Sequence, residues 1–217
     1  MNDYILKDLK TLHLKSLVKE AQKQCKNFPI THIPVVENGK LIGSFAQSDV
    51  QTIENKEDEI SNYFYLLEPF FTDEKATVLE LLKLFADNDC NIIPVLNSDK
   101  NYIGYYDLSD VLDVFINSPF LYDESATLIV EKNKKEYAMS EIAQIIETNN
   151  ASLLGAYVSA RKRDAIEVTL KVSTEDMNEI IQTFRRYNYT IITEHKDDMY
   201  LEDLKDRSEY LQKYLNM

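Results

Sequence analysis

The stretch Ile33-Pro34-Val35-Val36-Glu37-Asn38-Gly39-Lys40-Leu41-Ile42-Gly43 recurs further along the chain as Ile93-Pro94-Val95-Leu96-Asn97-Ser98-Asp99-Lys100-Asn101-Tyr102-Ile103-Gly104. The second copy differs in length by one turn residue. Each closing glycine is followed by the tripeptide Ser-Asp-Val, at 48–50 and at 109–111. Two copies with the same internal order predict a duplicated structural unit, and such a repeat decides the fold.

Apolar residues at helical spacing precede each copy of the repeat. They are Leu14, Leu17, Val18 and Ala21 before the first copy, and Val78, Leu81, Leu82 and Phe85 before the second. Each unit is therefore predicted as helix, strand, turn, strand and helix. Pro119 is expected to stop the last helix, because proline has no amide donor. The charged run 54–59 between the copies is typical of a solvated helix face.

From about Ser125 the repeat gives way to a different pattern of elements. Strands are predicted at 127–130, 153–159, 166–172 and 189–193, with helices around Ile142 and Ile180. The segment 173–176 has the form of a helix-capping box. The order β-α-β-β-α-β predicts a ferredoxin-like domain, and a polar terminal helix is expected at about 201–215. The fold class is α+β.

Charge and composition exclude several classes of partner. The chain has 24 basic and 37 acidic side chains, a net charge of −13, which disfavours binding to nucleic acid and to anionic membranes. No apolar run reaches the roughly 18 residues of a membrane span, and the N-terminus does not resemble a signal peptide. Cys25 and Cys90 form no metal or disulfide pattern, so we expect a reducing, cytoplasmic location and read both as buried apolar residues.

The two Ile-Pro-Val strands and the two Gly-x-x-x-x-Ser-Asp turns resemble a tandem pair of cystathionine-β-synthase-type (CBS) domains, also called a Bateman module. The resemblance covers residues 1–120, with copy one at about 1–60 and copy two at about 61–120. Residues 125–196 resemble an ACT-type domain, and 197–217 are expected to form an acidic C-terminal helix. The combination is similar to CBS–ACT proteins of the acetoin-utilisation type.

The resemblance implies a ligand site in each copy. In the family, an aspartate at the start of the second helix accepts hydrogen bonds from the ribose hydroxyls, which places Asp49 and Asp110 in that role. A hydroxyl residue three positions earlier receives phosphate together with the helix N-terminus. Here those positions are Ala46 and Asp107. The strand residues expected to contact the adenine through their backbone, or to adjoin it, are Ile33, Pro34, Val35, Ile93, Pro94, Val95 and His32.

These residues predict a non-enzymatic sensor that binds adenosine, AMP or ATP and signals through oligomer packing. Asp107 opposes a phosphate by like charge unless Mg²⁺ bridges the two. Asp49 and Asp110 equally suit ordinary helix N-termini. The alternative is therefore a ligand-free interaction scaffold with degenerate sites. Both domain types imply a homodimer or a higher oligomer. The segment 133–139 contains no glycine, which argues against amino-acid binding in the ACT-like half.

Overall fold

The computed structural model describes residues 1–174 and 176–193. The chain divides into two compact units, Met1–Asn117 and Ser118–Met217. None of the helices in the described ranges is long and apolar enough to cross a membrane. The predicted terminal helix at about 201–215 lies outside the described residues.

The first unit contains the predicted duplication. Copy one consists of α1 (Val18–Asn27), β1 (His32–Glu37), β2 (Lys40–Ala46) and α2 (Gln47–Thr52). Two short strands follow, β3 (Leu67–Glu68) and β4 (Thr72–Asp73). Copy two consists of α3 (Val78–Asp87), β5 (Ile92–Leu96), β6 (Tyr102–Asp107) and α4 (Leu108–Ile116). Short 3₁₀ helices span Asn2–Tyr4 and Ile60–Leu66. The helix–strand–strand–helix prediction is confirmed for both copies.

The hairpins of the two copies share one geometry, but the third strand adds to opposite edges of them: β3 pairs antiparallel with β2, and β4 pairs parallel with β5. The strand orders of the two sheets are β1-β2-β3 and β4-β5-β6. In the antiparallel hairpins, Val35 lies opposite Gly43 and Val95 lies opposite Gly104. Each hairpin has an irregular register directly after that valine, so the extra turn residue of copy two leaves the pairing intact. A register shift by one residue would turn the buried face outward, which is why the buried strands hold the alignment.

Each sheet is completed by the chain segment that leads into the other copy. Leu6, which precedes copy one, bridges antiparallel to Tyr105 in β6 of copy two. Strand β3, which precedes copy two, pairs antiparallel with β2 of copy one. The copies also share core residues, because Ile92 and Tyr105 of copy two belong to the hydrophobic cluster of copy one. The two copies therefore fold as one interlocked unit.

The start of α1 differs from the prediction. The helix begins at Val18, so the helical assignment of Leu14 and Leu17 is wrong. The amide of Leu14 instead donates to the Glu37 Oε1 atom at 2.7 Å, and Leu17 has extended backbone at the N-cap. Long-range pairing with Glu37 and a bridge from Leu17 to Glu59 override the local helical spacing.

The charged run 54–59 is also not a helix face. It is an irregular loop whose carbonyl groups accept from the first amides of α1. The Val18 amide donates to the Asp58 carbonyl at 2.9 Å, and the Lys19 amide donates to the Lys56 carbonyl at 3.0 Å. The first four amides of a helix have no acceptors inside the helix, and this loop supplies carbonyl acceptors for two of them.

The second unit has the predicted β-α-β-β-α-β order. Its elements are α5 (Pro119–Tyr122), β7 (Ala126–Asn133), α6 (Met139–Thr148), β8 (Ser152–Arg161), β9 (Ala165–Ser173), α7 (Met177–Arg186) and β10 (Thr190–Ile191). Pro119 follows the end of α4, as expected, and begins α5. In the described part of this unit the sheet order is β10-β7-β9-β8, the ferredoxin-like topology.

The core of the second unit lies between this sheet and the helices α6 and α7. Ile166, Val168, Leu170 and Val172 alternate along β9 and are all buried, which confirms the predicted half-buried strand. The capping prediction needs a correction, because the N-cap of α7 is Asp176 rather than Ser173, which still belongs to β9. The Asp176 carboxylate accepts from the Glu179 amide at 3.2 Å.

Candidate ligand-binding sites

Two candidate sites occupy equivalent places in the first unit, where a buried hairpin passes directly into a helix. The first candidate site contains His32, Ile33, Pro34, Val35, Ala46 and Asp49, and the second contains Ile93, Pro94, Val95, Asp107 and Asp110. Strand β2 ends at Ala46 and β6 ends at Asp107, and the helix begins at the next residue in each case. This continuity holds the strand and the helix start of each site in a fixed relation.

The strand residues of both sites belong to the core. The side chains of Ile33, Val35, Ile93 and Val95 are 0% exposed and pack into the hydrophobic clusters of their copies. Pro34 and Pro94 are buried as well. Their side chains are therefore not open to a ligand, and only the backbone of these strands could contact one.

The two aspartates assigned to ribose lie at the same point of their helices. Asp49 is the third residue of α2 and Asp110 is the third residue of α4, and both are half-buried. A carboxylate in the first turn of a helix is stabilised by the dipole. Neither carboxylate caps its own helix, because the N-cap residues are Ala46 and Asp107. Both therefore keep oxygen atoms available to a ligand.

The N-caps of the two helices differ in chemistry. Ala46 supplies no side-chain hydrogen bond to α2. The Asp107 Oδ1 atom accepts from the Ser109 amide at 2.7 Å, so its carboxylate already occupies the N-terminus of α4. That position is where the helix would otherwise receive an anion. The second site thus carries its own negative charge at the place expected for phosphate.

The N-terminal segment brings further acid to the second site. The Tyr105 hydroxyl donates to the Asp8 Oδ1 atom at 2.8 Å. Burial raises the pKa of Asp110, and the negative charges of Asp107, Asp113 and Asp8 raise it further. These carboxylates lie close enough to destabilise each other's ionised form. The site favours a ligand that brings hydroxyl groups or positive charge.

The first site is built around His32, which is buried. Its Nδ1 atom lies 2.9 Å from the Thr31 hydroxyl, and its Nε2 atom lies 3.5 Å from the Glu68 Oε2 atom. The Phe70 ring meets the imidazole edge-to-face, with 5.1 Å between centroids. Burial lowers the pKa of His32, and the charges of Glu68, Asp49 and Asp89 oppose that shift. Asp49 and His32 therefore belong to one electrostatic neighbourhood.

Sequence reasoning did not find Asp8, Glu68 or Phe70 as neighbours of the sites. They lie on the segments that cross from one copy to the other, outside the repeated motif. No residue of the repeated motif identifies them as neighbours of the sites, and the sequence contains only an indirect indication of their position. A hairpin of buried residues needs further pairing partners at its edges, because exposed edges are a liability.

The charge around both sites is predominantly negative. None of the ion pairs found among the described residues involves Asp49, Asp107 or Asp110. Within the same ranges, no group of three or more His, Cys, Asp or Glu side chains is arranged to hold a metal ion. The available chemistry is hydrogen-bond acceptance by carboxylates and by backbone.

Comparison with known proteins identifies a family for the first unit. The family model of the CBS domain matches residues 1–53 and 66–117. Inosine-5'-monophosphate dehydrogenase of Methanocaldococcus jannaschii is 27% identical over 112 residues, which cover 51% of this chain and 22% of that enzyme. An uncharacterized protein of the same archaeon is 24% identical over 112 residues, covering 52% of this chain and 42% of its own length. The chain thus spans less than half the length of either relative.

Solved structures also match about half of this chain. A CBS domain pair/ACT domain protein from Thermotoga maritima has a TM-score of 0.48 and 18% identity, covering 53% of this chain and 94% of that chain. CBSX2 in complex with AMP has a TM-score of 0.46 and 15% identity, covering 53% and 94%. The two matched segments of the family model coincide with the two copies of the repeat, so residues 1–117 are a tandem pair of CBS domains and this unit belongs to the CBS-domain family.

Proposed function

We propose that the CBS pair is a regulatory module that binds an adenine-type nucleoside, and that binding is transmitted through the packing of the chain in an oligomer. One observation carries this proposal. Asp49 and Asp110 lie at the same place in two equivalent sites, half-buried and with no ion pair to another described residue. Paired hydroxyl groups of a ribose suit such carboxylates, because a charged acceptor forms the stronger class of hydrogen bond.

The charge distribution favours a ligand without a phosphate. Asp107 fills the N-terminus of α4 with its own carboxylate, and Ala46 offers nothing to a phosphate at α2. Adenosine, or an adenosine that carries a positive group such as S-adenosylmethionine, avoids this repulsion. AMP and ATP would need Mg²⁺ to bridge the phosphate and Asp107, a role for which carboxylate oxygens are suited.

Isothermal titration calorimetry of the full chain tests the proposal. Adenosine, S-adenosylmethionine, AMP, ADP and ATP are titrated with and without Mg²⁺ into wild type, Asp49→Asn and Asp110→Asn. Asp99→Asn is the matched control, because Asp99 is an exposed aspartate on the hairpin tip of copy two. We expect binding of adenosine that is weakened by each site variant and unchanged by the control. Absence of heat for every ligand would refute the proposal.

The alternative function is a ligand-free oligomeric scaffold. Two observations favour it: the residues that replace the phosphate-side hydroxyls, and the exposed apolar side chains of α4. Leu112 is 38% exposed and Ile116 is 51% exposed, and the two lie one turn apart on α4, where adjacent exposed apolar side chains suit an interface. Native mass spectrometry separates the two functions, since it reports the oligomer mass and any carried ligand together. An oligomer without ligand, combined with no calorimetric heat, would establish the scaffold.

The wider setting of the module is part of the same proposal. We propose a homodimer or higher oligomer, a cytoplasmic location and a non-catalytic role. The ferredoxin-like unit would act as the ACT-type partner domain that reads the state of the CBS pair. Regulation of this kind requires that the ligand bind two arrangements of the chain with different affinity.

A further inference from the structure

One pair of residues joins the two CBS copies at equivalent positions. Thr31 and Asn91 each lie two residues before the isoleucine of the Ile-Pro-Val strand, and each is half-buried. The Thr31 amide donates to the Asn91 Oδ1 atom at 2.8 Å, and the Asn91 amide donates to the Thr31 Oγ1 atom at 2.9 Å. Such reciprocal bonding is expected where two repeats meet across a pseudo-two-fold axis.

The same two residues hold the starts of both site helices. The Gln47 amide donates to the Thr31 carbonyl at 2.7 Å, and the Leu108 amide donates to the Asn91 carbonyl at 2.9 Å. Gln47 and Leu108 are the first residues of α2 and α4, two positions before the ribose aspartates. A ligand that moves or orders either helix start therefore acts on this pair.

The Thr31 side chain also reaches into the first site. Its Oγ1 atom lies 3.0 Å from the Asn91 Oδ1 atom and 2.9 Å from the His32 Nδ1 atom. A hydroxyl group has one proton to donate. When that proton is donated to His32, it is not available to Asn91, so a ligand that changes the hydrogen bonding of His32 changes the bond across the axis.

We propose that Thr31 and Asn91 are positioning residues that couple the two ligand sites, so that filling one site changes the affinity of the other. This inference rests on the proposed function, because it concerns the same sites. Coupling between sites in proteins is commonly about 5–150-fold in affinity. The continuous chain of bonds from His32 through Thr31 and Asn91 to Leu108 gives such coupling a physical route.

Calorimetry with adenosine on the full chain measures the coupling. Asp49→Asn impairs the first site and so gives the association constant of the second, and Asp110→Asn gives that of the first. The wild type gives the overall association constant for filling both sites. The coupling factor is this overall constant divided by the product of the two single-site constants. We expect a factor of at least about fivefold in either direction in wild type. We expect a factor near one in Thr31→Val and in Asn91→Ala.

Two further variants separate positioning from a general structural effect. Thr31→Ser keeps the hydroxyl group and is expected to retain the coupling factor of wild type. Asn88→Ala is the matched control, because the Asn88 side-chain amide donates to the Leu84 carbonyl within copy two, at 2.8 Å, and does not reach copy one in the described part of the chain. If Thr31→Val keeps the wild-type factor, or if Asn88→Ala abolishes it as well, the inference is overturned.

A measurement without ligand keeps the two proposals apart. Amide hydrogen exchange in Asn91→Ala should rise at Gln47 of copy one as well as at Leu108 of copy two, and Asn88→Ala should leave Gln47 unchanged. If Thr31→Val binds adenosine with the same coupling factor as wild type, the proposed coupling is overturned and the proposed function is not. No binding in wild type overturns the proposed function and the coupling with it. Faster exchange confined to copy two overturns the route through the axis.

Discussion

Gly104→Ala tests the crossing of the N-terminal segment over copy two. Gly104 has a φ of +147°, and a Cβ atom there would lie 2.3 Å from the Leu6 carbonyl oxygen and 2.7 Å from the Ile5 Cγ2 atom. Real Cβ atoms do not approach backbone so closely, so either the backbone of Gly104 or the N-terminal segment must move. Gly43→Ala is the matched control at the equivalent position of copy one. Its Cβ atom would lie 2.9 Å from the Leu67 Cβ atom and 3.2 Å from the Glu68 carbonyl oxygen, and Gly43 does not have a positive φ.

The expected cost follows from two contributions. A side chain held in the backbone region that only glycine adopts readily costs about 1–3 kcal/mol. Displacement of the segment also breaks two hydrogen bonds, from the Leu6 amide to the Tyr105 carbonyl at 2.9 Å and from the Tyr105 amide to the Leu6 carbonyl at 3.0 Å. Each is worth about 0.5–1.5 kcal/mol, so Gly104→Ala should cost about 2–6 kcal/mol. Gly43→Ala lacks the backbone strain, and tight packing alone should cost about 1–3 kcal/mol.

Amide hydrogen exchange read residue by residue is the suitable assay, because a chain with two units has no single free energy of unfolding. In Gly104→Ala we expect loss of protection at the Leu6 and Tyr105 amides, together with a lower stability of copy two. Protection at the Leu6 and Tyr105 amides equal to that of wild type would refute the described crossing.

Three further perturbations address the sites and the second unit. Asp107→Thr removes the charge at the start of α4 and restores a hydroxyl group, so calorimetry should show AMP binding about tenfold tighter or more, with adenosine little changed. His32→Ile introduces the residue found at the equivalent position of the other repeat, Ile92. Burial lowers the pKa of His32, so the folded state holds the imidazole neutral and loses stability as the pH falls below the ordinary histidine pKa of about 6.5. In denaturant titrations, wild type should therefore lose stability relative to the variant as the pH falls from about 7.5 to 5.5, by at most about 1.4 kcal/mol per pH unit. Lys132→Met leaves Glu141 without the buried ammonium that lies 2.5 Å from its carboxylate. Glu141 is 29% exposed and keeps the hydrogen bond from the Tyr189 hydroxyl, so the variant should destabilise the second unit by about 1–3 kcal/mol in denaturant titrations, with the double variant Lys132→Met/Glu141→Leu closer to wild type.

The parts of the fold that sequence could predict are those set by local pattern. Alternation along β9 and helical spacing in α3 reflect which faces are buried, and both elements formed where the pattern placed them. Leu14 and Leu17 show where this reasoning ends. Their spacing fits a helix, but the Leu14 amide bonds to Glu37 and the chain there is extended. The partner lies far along the sequence, so no local pattern contains it.

The candidate sites divide in the same way. The repeated motif places Asp49 and Asp110 at helix starts, because a glycine-bearing strand that leads into a Ser-Asp step has one local geometry. The environment of those aspartates depends on Asp8 and Glu68, which arrive on crossing segments. Local sequence therefore predicts where a ligand would sit, and long-range pairing decides which chemistry surrounds it.

The two sites have the same frame but different surrounding charges. The hairpin register and the buried Ile-Pro-Val strands are alike in both copies, so the shape of each site is maintained by the core. The surrounding charges are not alike: His32 and Glu68 adjoin the first site, whereas Asp8 and Asp107 adjoin the second. Asp8 and Glu68 on the crossing segments and Asp107 at the N-cap can change without disturbing that core, because their side chains are not part of either hydrophobic cluster. Asp49→Asn and Asp110→Asn should therefore change ligand preference differently, and equal loss of every ligand in both variants would show that the two sites act as one.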